Sequence, residues 1–417
     1  MLAHSPPVPF VVDYGKRYPY VDVGAVEKDG IIFALEQRDR VRCICFRMSV
    51  PNLQKALLSV DGEYPVLEFL LIEPPWNEDG STVLMLPVTF QAPRLRRLLL
   101  SHFALPMGLR LFTAAVGLVT LILLSVPPSS DLQPNILLQW LSFMPLLEEF
   151  NLEFSISILP TPNEDVETQL MHTPIMAQIT LPNLRSFSFD GTNAFMEALV
   201  HNITAPRLER LSIGLNKQST FSVQNLLQFM NATEYLKFDS AMFEFLPSGV
   251  YVNMDHERDK SLKYTFSMAV YCSAFEMQVS SIAHILNSLG HLFYAVEHLY
   301  IFDGDIVYNE ADRADWRKLF RSFSNAKTLL ISICEEIVEE LSRVLRPEDG
   351  EHPLELLPEL QRLVHHGGRG NDFKSFLDAR QNAGRPVKLV LRTSTGSPPL
   401  SESVTSGSGE AGCDLDT

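Results

Sequence analysis

Three segments of the chain share one arrangement of apolar residues, and this arrangement decides the fold. Residues 93–100 read PRLRRLLL, residues 182–189 read PNLRSFSF, and residues 206–213 read PRLERLSI. In each segment a large apolar residue stands two positions after the proline, and others stand three and five positions further on. Because alternate side chains of a strand point to the same face, the last two of these positions predict a short strand with one buried face.

The same L-x-x-L-x-L pattern recurs along most of the chain. Its copies begin at residues 67, 95, 118, 147, 184, 208, 233, 296, 326 and 360. Most successive copies are 23 to 30 residues apart, and this period with this signature is typical of leucine-rich repeats. The interval from 233 to 296 is 63 residues, about two periods, and the strand-like segment SLKYTFSM lies within it.

Segments with helical spacing of apolar residues lie between the copies. They cover residues 135–144, 194–203, 223–231, 280–289, 315–323 and 335–345. A single strand–helix unit cannot bury its own apolar face, so such units stack on their neighbours. The sequence therefore predicts an α/β fold, a leucine-rich-repeat solenoid of horseshoe shape with parallel strands on the concave face and helices on the convex face.

The chain is predicted to hold one solenoid between two terminal segments. Residues 1–60 are expected to form an N-terminal capping segment, and residues 61–392 the solenoid, with a long insertion at 158–180. Residues 393–417 consist mostly of Ser, Gly, Pro and acidic residues, a composition that predicts a disordered C-terminal tail.

The composition restricts the classes of function. The chain has 417 residues with 34 Lys and Arg against 50 Asp and Glu, a formal charge of −16. Such a chain lacks the basic patch that nucleic acids require and is a poor partner for an anionic membrane. Five cysteines are too few for a disulfide framework, and the N-terminal residues do not form a signal peptide. A cytoplasmic or nuclear location is therefore expected.

One apolar segment leaves two interpretations open. Residues 111–126 read LFTAAVGLVTLILLSV, which is sixteen residues without a charge. A helix needs about 20 such residues to cross a bilayer. The segment also carries the repeat signature at Leu118, Leu121 and Leu123, which favours a short helix followed by a core strand. The alternative is a single-span membrane-associated protein with its span at 111–126.

The sequence contains none of the common motifs for catalysis or for cofactor binding. It lacks a phosphate-binding loop, a dinucleotide fingerprint, a nucleophile elbow and an H-E-x-x-H pair. Cys43 and Cys45 alternate along a predicted strand without a second pair of ligands, so we interpret them as buried thiols. His365 and His366 are interpreted as part of a polar turn. We therefore expect a protein that is not an enzyme and holds no cofactor or metal ion.

The order of several motifs resembles a large group of fungal, basidiomycete-type F-box/leucine-rich-repeat proteins. The similar segments span about residues 9–392 and include PFVVDYG, RDRVRCICF, DGEYPVLEFLLIE, FQAPRLRRLLLSHF, LPNLRSFSFDG, TAPRLERLSI and ARQNAGRPVKLVLR. The resemblance implies a substrate-recognition subunit of a cullin-type ubiquitin ligase, in which an F-box binds a Skp-type adaptor and the repeats select the target. An F-box would be expected before residue 9, where the sequence has no recognisable one. The alternative within the same fold is a scaffold unrelated to ubiquitination.

Binding is expected at the strand residues that point away from the core. They flank the second apolar position of each copy and would line the concave face that solenoids use for binding. The predicted protein-binding residues are Arg97, Leu99, Glu149, Asn151, Ser186, Ser188, Arg210, Ser212, Tyr235, Lys237, His298 and Tyr300. Arginine and tyrosine are enriched among the residues that anchor protein interfaces, so the expected partner is a protein.

Overall fold

One long sheet organises the chain, and nearly every repeat supplies a strand to it. A computed structural model describes residues 8–14, 25–75, 83–127, 132–155, 178–216, 222–233, 235–256, 264–272, 274–303, 313–348, 350–366 and 372–392. The strands in these ranges are β1 (Phe10–Tyr14), β2 (Val41–Arg47), β3 (Phe69–Glu73), β4 (Leu84–Met85), β5 (Arg97–Ser101), β6 (Phe103–Ala104), β7 (Thr120–Val126), β8 (Glu149–Phe154), β9 (Ile179–Thr180), β10 (Ser186–Gly191), β11 (Ile203–Thr204), β12 (Arg210–Asn216), β13 (Ser240–Leu246), β14 (Gly249–Asp255), β15 (Phe266–Tyr271), β16 (His298–Asp303), β17 (Thr328–Ser332), β18 (Arg362–His366) and β19 (Lys388–Arg392). Fifteen of them form the main sheet, in the order β1-β2-β3-β5-β7-β8-β10-β12-β15-β14-β13-β16-β17-β18-β19.

Helices occupy the intervals between the strands. They are α1 (Ala25–Leu35), α2 (Val50–Leu57), α3 (Leu111–Ala114), α4 (Pro134–Ser142), α5 (Asn193–His201), α6 (Gln224–Asn231), α7 (Phe275–Ser288), a 3₁₀ helix (Gly290–Ala295), α8 (Arg313–Arg321), α9 (Glu335–Leu345) and α10 (Lys374–Asn382). The six helical segments predicted from apolar spacing correspond to α4 to α9. Their buried residues, such as Leu137, Phe229 and Trp316, belong to the same core as the strands.

The apolar positions of neighbouring repeats lie side by side in the core. Parallel register pairs Leu98 with Leu121, Leu121 with Phe150, Phe150 with Phe187, and Phe187 with Leu211. All five side chains are at most 1% exposed. Burying each such side chain contributes roughly 1.5–3 kcal/mol, so the row holds consecutive repeats together. The predicted α/β fold class is confirmed: the fold is a leucine-rich-repeat solenoid with a mostly parallel sheet.

A turn before most of the parallel strands connects the repeats through the backbone. The amide of Leu147 donates to the carbonyl of Met144 at 3.2 Å, and the amide of Leu208 donates to that of Ala205 at 3.2 Å. The carbonyl of Glu148 then accepts hydrogen bonds from two amides of the next repeat, those of Arg185 at 2.8 Å and Ser186 at 3.0 Å. Each shared carbonyl therefore satisfies two amides at a strand entry, where an unpaired backbone group would be costly.

The apolar segment 111–126 divides into two elements of this fold. Leu111 to Ala114 form α3, and Thr120 to Val126 form β7 in the interior of the sheet. The interpretation as a short helix and a core strand is confirmed, and the alternative of a membrane span at 111–126 is wrong. Among the described residues, no helix is both long and apolar enough to cross a membrane.

The 63-residue interval between two copies contains an antiparallel meander, which we define as β13, β14 and β15. The chain leaves β12, forms β13 three positions away in the sheet, and returns through β14 to place β15 beside β12. Strand β14 is antiparallel to both β13 and β15, whereas β12 with β15 and β13 with β16 are parallel pairs. The expectation of a sheet made only of parallel strands is therefore wrong at β14.

Gly249 begins β14 where two backbones approach closely. A Cβ atom at this position would overlap the carbonyl oxygen of Val270 and come within 3.0 Å of the Tyr271 Cα atom. Backbone atoms in the interior of a sheet cannot move aside without breaking the ladder. We expect Gly249→Ala to lower the free energy of unfolding by about 1–3 kcal/mol, the usual cost of overpacking.

Denaturant unfolding of Gly249→Ala beside Gly108→Ala measures this effect. A Cβ atom at position 108 would have no atom within 4 Å, so the control adds the same methyl group without a clash. Equal stability of the two variants would contradict the tight fit at β14.

The ends of the sheet are formed by the first and last repeats. Strands β1 and β2 from the predicted capping segment 1–60 pair in parallel with each other, and β2 continues the sheet to β3. At the other end β18 pairs with β19. The boundaries of the predicted cap and solenoid stay predictions, while the tail 393–417 and most of the insertion 158–180 lie outside the described residues.

Candidate protein-interaction face

The main sheet has two faces of different character. One face packs on the helices and forms the core. The side chains that alternate with the core positions point the other way, and most of them are only partly buried. We call this surface the open face. Register aligns its side chains across the strands, and the middle row runs Cys45, Leu71, Leu99, Ile122, Asn151, Ser188, Ser212 and Ser267.

Most of the predicted binding residues lie on the open face. Those placed there are Arg97, Leu99, Glu149, Asn151, Ser186, Ser188, Arg210, Ser212, His298 and Tyr300. Glu149, Ser186 and Arg210 are register partners on three successive strands, as are Asn151, Ser188 and Ser212 one row further along. The structure thus brings these side chains together in two rows, and their role in binding stays a prediction.

Two of the predicted residues lie elsewhere. Tyr235 and Lys237 belong to the irregular segment that precedes β13, which begins only at Ser240. Their predicted place on the face of a strand is wrong. The pattern around Leu236 and Phe238 resembles a repeat, but this segment forms no strand and leads into β13, the first strand of the meander.

Leu99 points to the open face as predicted but is only 7% exposed. It forms an open-face apolar cluster with Cys45 and Leu71, against which Phe69 and Ile122 pack. Beside this cluster, Arg47 donates from Nε to Glu73 at 3.0 Å, and the Glu73 side chain is 4% exposed. The first repeats therefore carry a packed apolar cluster on the open face, and Leu99 is one of its buried members.

The interpretation of Cys43 and Cys45 as buried thiols is confirmed, since both are buried.

The centre of the open face carries two carboxyl groups on neighbouring strands. Glu153 of β8 and Asp190 of β10 are register partners, so their backbones are about 4.8 Å apart. The Ser125 hydroxyl lies 3.4 Å from Glu153 Oε1 and donates to it. We call Glu153 and Asp190 the carboxyl pair.

A tyrosine reaches the carboxyl pair across an intervening strand. The hydroxyl of Tyr271 on β15 donates to Asp190 Oδ2 at 2.6 Å, although β12 separates β15 from β10. The β12 residue opposite Asp190 is Gly214, and a Cβ atom there would overlap the Asp190 carboxylate. The absence of a side chain at position 214 therefore makes room for this contact.

Burial shifts the acidity of all three groups. Desolvation raises the pKa of Glu153 to about 7, and the nearby Asp190 charge raises it as well. Desolvation raises the pKa of Asp190 to about 6, against the opposing effect of the Tyr271 hydrogen bond. The pKa of Tyr271 is also raised, first by burial and then by the Asp190 charge. The carboxyl pair therefore exchanges protons near neutral pH, unlike exposed carboxyl groups.

The carboxyl pair was missed by reasoning from the repeat signature alone. The signature assigns outward residues on either side of the second apolar position, but the position after the third apolar residue also points outward. It holds Glu153 in the copy beginning at 147 and Asp190 in the copy beginning at 184. An acid at the same place in consecutive repeats is the signal that could have revealed the pair.

The last repeats carry aromatic and apolar side chains on the open face. The rings of Tyr300 and Phe302 stack at 6.5 Å between centroids.

The prediction of a polar turn at His365 and His366 is wrong, because both residues belong to β18. His365 lies 1% exposed in the core, where its ring meets Phe373 edge-on at 5.6 Å and burial lowers its pKa.

Comparison with known proteins finds similarity to solved structures alone. No protein-family model matches the chain, and no curated protein is significantly similar to it. A solved structure of the leucine-rich repeat-containing protein LegL7 from Legionella pneumophila is similar at 15% sequence identity with a TM-score of 0.28, over 73% of this chain and 85% of that chain. Within the described residues, no group of His, Cys, Asp and Glu could hold a metal ion.

Proposed function

We propose that the chain is a non-catalytic protein-interaction module that binds its partner on the open face. The observation that carries this proposal is the register of the main sheet, which aligns outward side chains of successive strands in continuous rows. Solenoids of stacked repeats offer such extended surfaces to other proteins.

The rigidity of the sheet supports a role in recognition. The aligned side chains extend from strands whose opposite sides are buried in one core, so little conformational entropy is lost when a partner orders them. Arg210 and Tyr300 are of the residue types that dominate interface energetics. Affinity is therefore expected to reside in a few such anchors, with the serine rows providing a fitted surface between them.

A bulky substitution on the open face tests the proposal. Ser212→Trp places an indole in the middle row, while Ser142→Trp adds the same group at an exposed position on α4. We expect Ser212→Trp to reduce by about tenfold the proteins that wild type retains from a lysate of its source, a loss typical of an interface centre. Quantitative mass spectrometry of the retained proteins is the measurement. Equal losses for both variants, or none for Ser212→Trp, would contradict the open face as the binding surface.

The finer hypothesis makes this chain the target selector of a ubiquitin ligase with a Skp-type adaptor and a cullin. It is supported by the sequence resemblance to F-box/leucine-rich-repeat proteins and is an argument by analogy. Mixing purified full-length chain with a Skp-type adaptor and following the complex by size-exclusion chromatography tests it. Co-elution supports ligase membership, and separate elution leaves a scaffold unrelated to ubiquitination.

A further inference from the structure

The charge of the open face points to the chemistry of its partner. Between β8 and β13 the outward side chains include five carboxyl groups and one guanidinium group: Glu149, Glu153, Asp190, Glu244, Asp255 and Arg210. We call this region the acidic centre. Building on the proposed function, we infer that the acidic centre binds an extended, arginine-bearing segment of a partner protein, with one guanidinium group at the carboxyl pair.

The carboxyl pair lacks a positive charge within the described chain. The groups that act on Glu153 are the Asp190 carboxylate and the Ser125 hydroxyl, and the group that acts on Asp190 is the Tyr271 hydroxyl. In addition, Asp190 Oδ1 is buried and has no hydrogen-bond partner among the described residues. Two partly buried carboxylates cannot both stay ionised without compensation, which comes from a proton or from an external cation.

The surroundings of the carboxyl pair fit a planar cation better than a compact one. The rings of Tyr251 and Tyr271 meet edge-on at 6.1 Å beside the pair and offer aromatic surface for a guanidinium group. Strands spaced by about 4.8 Å place two acceptors within reach of the separate N–H groups of one arginine. A lysine ammonium is more strongly hydrated and makes no such forked contact.

The floor of the acidic centre allows a partner backbone to approach closely. Register places Ser188, Ser212 and Ser267 side by side. Small side chains leave space above the sheet, and the hydroxyl groups can hydrogen-bond a passing main chain. An extended segment therefore fits this floor, with its arginine directed to the carboxyl pair.

Binding of a guanidinium group must displace the protons held by the carboxyl pair. The affinity for an arginine peptide is thus expected to rise with pH, because the cation binds only the ionised pair. Burial sets the pKa values of the two groups at about 7 and about 6. The rise is therefore expected between about pH 5.5 and about pH 8, by roughly tenfold or more.

The test uses purified full-length chain and synthetic peptides with one common Gly-Ser frame. The peptides carry arginine, lysine, aspartate or glutamine at the same positions, and isothermal titration at several pH values measures affinity and proton release. We expect the arginine peptide to bind most tightly and to release protons. The double variant Glu153→Gln, Asp190→Asn should weaken it by about tenfold or more and abolish the dependence on pH.

A charge-matched control separates the carboxyl pair from the overall charge. Glu36→Gln combined with Glu339→Gln removes two exposed carboxylates outside the open face and should leave the affinity unchanged. Equal weakening by both double variants, or tighter binding of the lysine, aspartate or glutamine peptide, would overturn the inference. So would the absence of binding by every peptide. The proposed function fails on a different result, namely retention of lysate partners by Ser212→Trp, so the two failures are distinguishable.

Discussion

Replacing Phe187 with alanine is expected to lower the free energy of unfolding by about 3–5 kcal/mol. The Phe187 side chain is 1% exposed, and its ring stacks on Phe150 at 5.6 Å and meets Phe229 of α6 edge-on at 5.8 Å. Truncation removes the contacts of one repeat with both the preceding strand and the helix side. The hydrogen-bonded strands on either side limit collapse, so the cavity stays largely open.

Urea unfolding of Phe187→Ala and of Ser186→Ala measures this contribution. Ser186 precedes Phe187 on the same strand but points to the open face, so its truncation is expected to change stability by less than about 0.5 kcal/mol. Amide hydrogen exchange should show the largest loss of protection in β8, β10 and β12, because a repeat contacts mainly its neighbours. A loss below about 1 kcal/mol for Phe187→Ala would show that the stack does not join the repeats.

The second large effect is a change in the pH dependence of stability. Removing both ionisable groups of the carboxyl pair by Glu153→Gln and Asp190→Asn should stabilise the protein relative to wild type at pH 8. Burial raises the pKa of Glu153 to about 7 and that of Asp190 to about 6, well above those of the unfolded chain. The amides keep the shape of the groups without a charge to bury.

The sign of the effect follows from the number of bound protons. Between the unfolded and folded pKa values, the folded chain binds more protons than the unfolded chain, so stability falls as pH rises. The contribution of the pair is fully present below about pH 4 and is lost by about pH 8. The stability difference between variant and wild type should therefore grow by several kcal/mol over this range, and the two pKa shifts set an upper bound of about 6 kcal/mol.

Thermal and denaturant unfolding at several pH values gives this difference directly. The double variant Glu36→Gln, Glu339→Gln serves again as control, because it removes two exposed carboxylates outside the open face. Parallel curves for wild type and the Glu153, Asp190 variant would show that the carboxyl pair is not strained by burial. If the Glu153, Asp190 variant is more stable than wild type and yet binds the arginine peptide more weakly, unfolding does not explain the weaker binding.

The core of the fold could be predicted from the sequence because its signal is local and repeated. The positions of Leu98, Leu121, Phe150, Phe187 and Leu211 follow from one signature, and the structure places them side by side. The segment 111–126 was assigned correctly for the same reason. Its leucines match the repeat, and a single charge-free stretch does not outweigh that match.

The meander could not be predicted, because alternation does not reveal strand direction. Strands β13 and β14 read SAMFEFL and GVYVNMD, and each buries alternate residues whether its neighbours are parallel or antiparallel. The apparent copy of the signature around Tyr235 ends at Phe238, before β13 begins at Ser240, and apolar spacing alone does not reveal that this segment is irregular. The alternation of apolar residues indicates that a strand exists, while the neighbours of that strand in the sheet depend on contacts between residues distant in the sequence.

The candidate site was predictable only as rows of outward residues. Ten of the twelve expected positions are on the open face, but their burial depends on side chains from adjacent strands. Leu99 is covered because Cys45, Leu71 and Ile122 surround it, and these belong to three other repeats. The contact between Tyr271 and Asp190 spans 81 residues and requires a glycine on the strand between them.

The number of strands in the meander constrains how this chain could gain or lose repeats. The meander has three strands of alternating direction, so its two outer strands, β15 and β13, run in the same direction. Each outer strand is therefore parallel to its neighbour outside the meander, β15 to β12 and β13 to β16. Deleting or adding one strand of the meander would reverse the direction at one border. Whole strand–helix units can therefore be duplicated on either side, whereas the meander itself can change length only by hairpins, in pairs of strands.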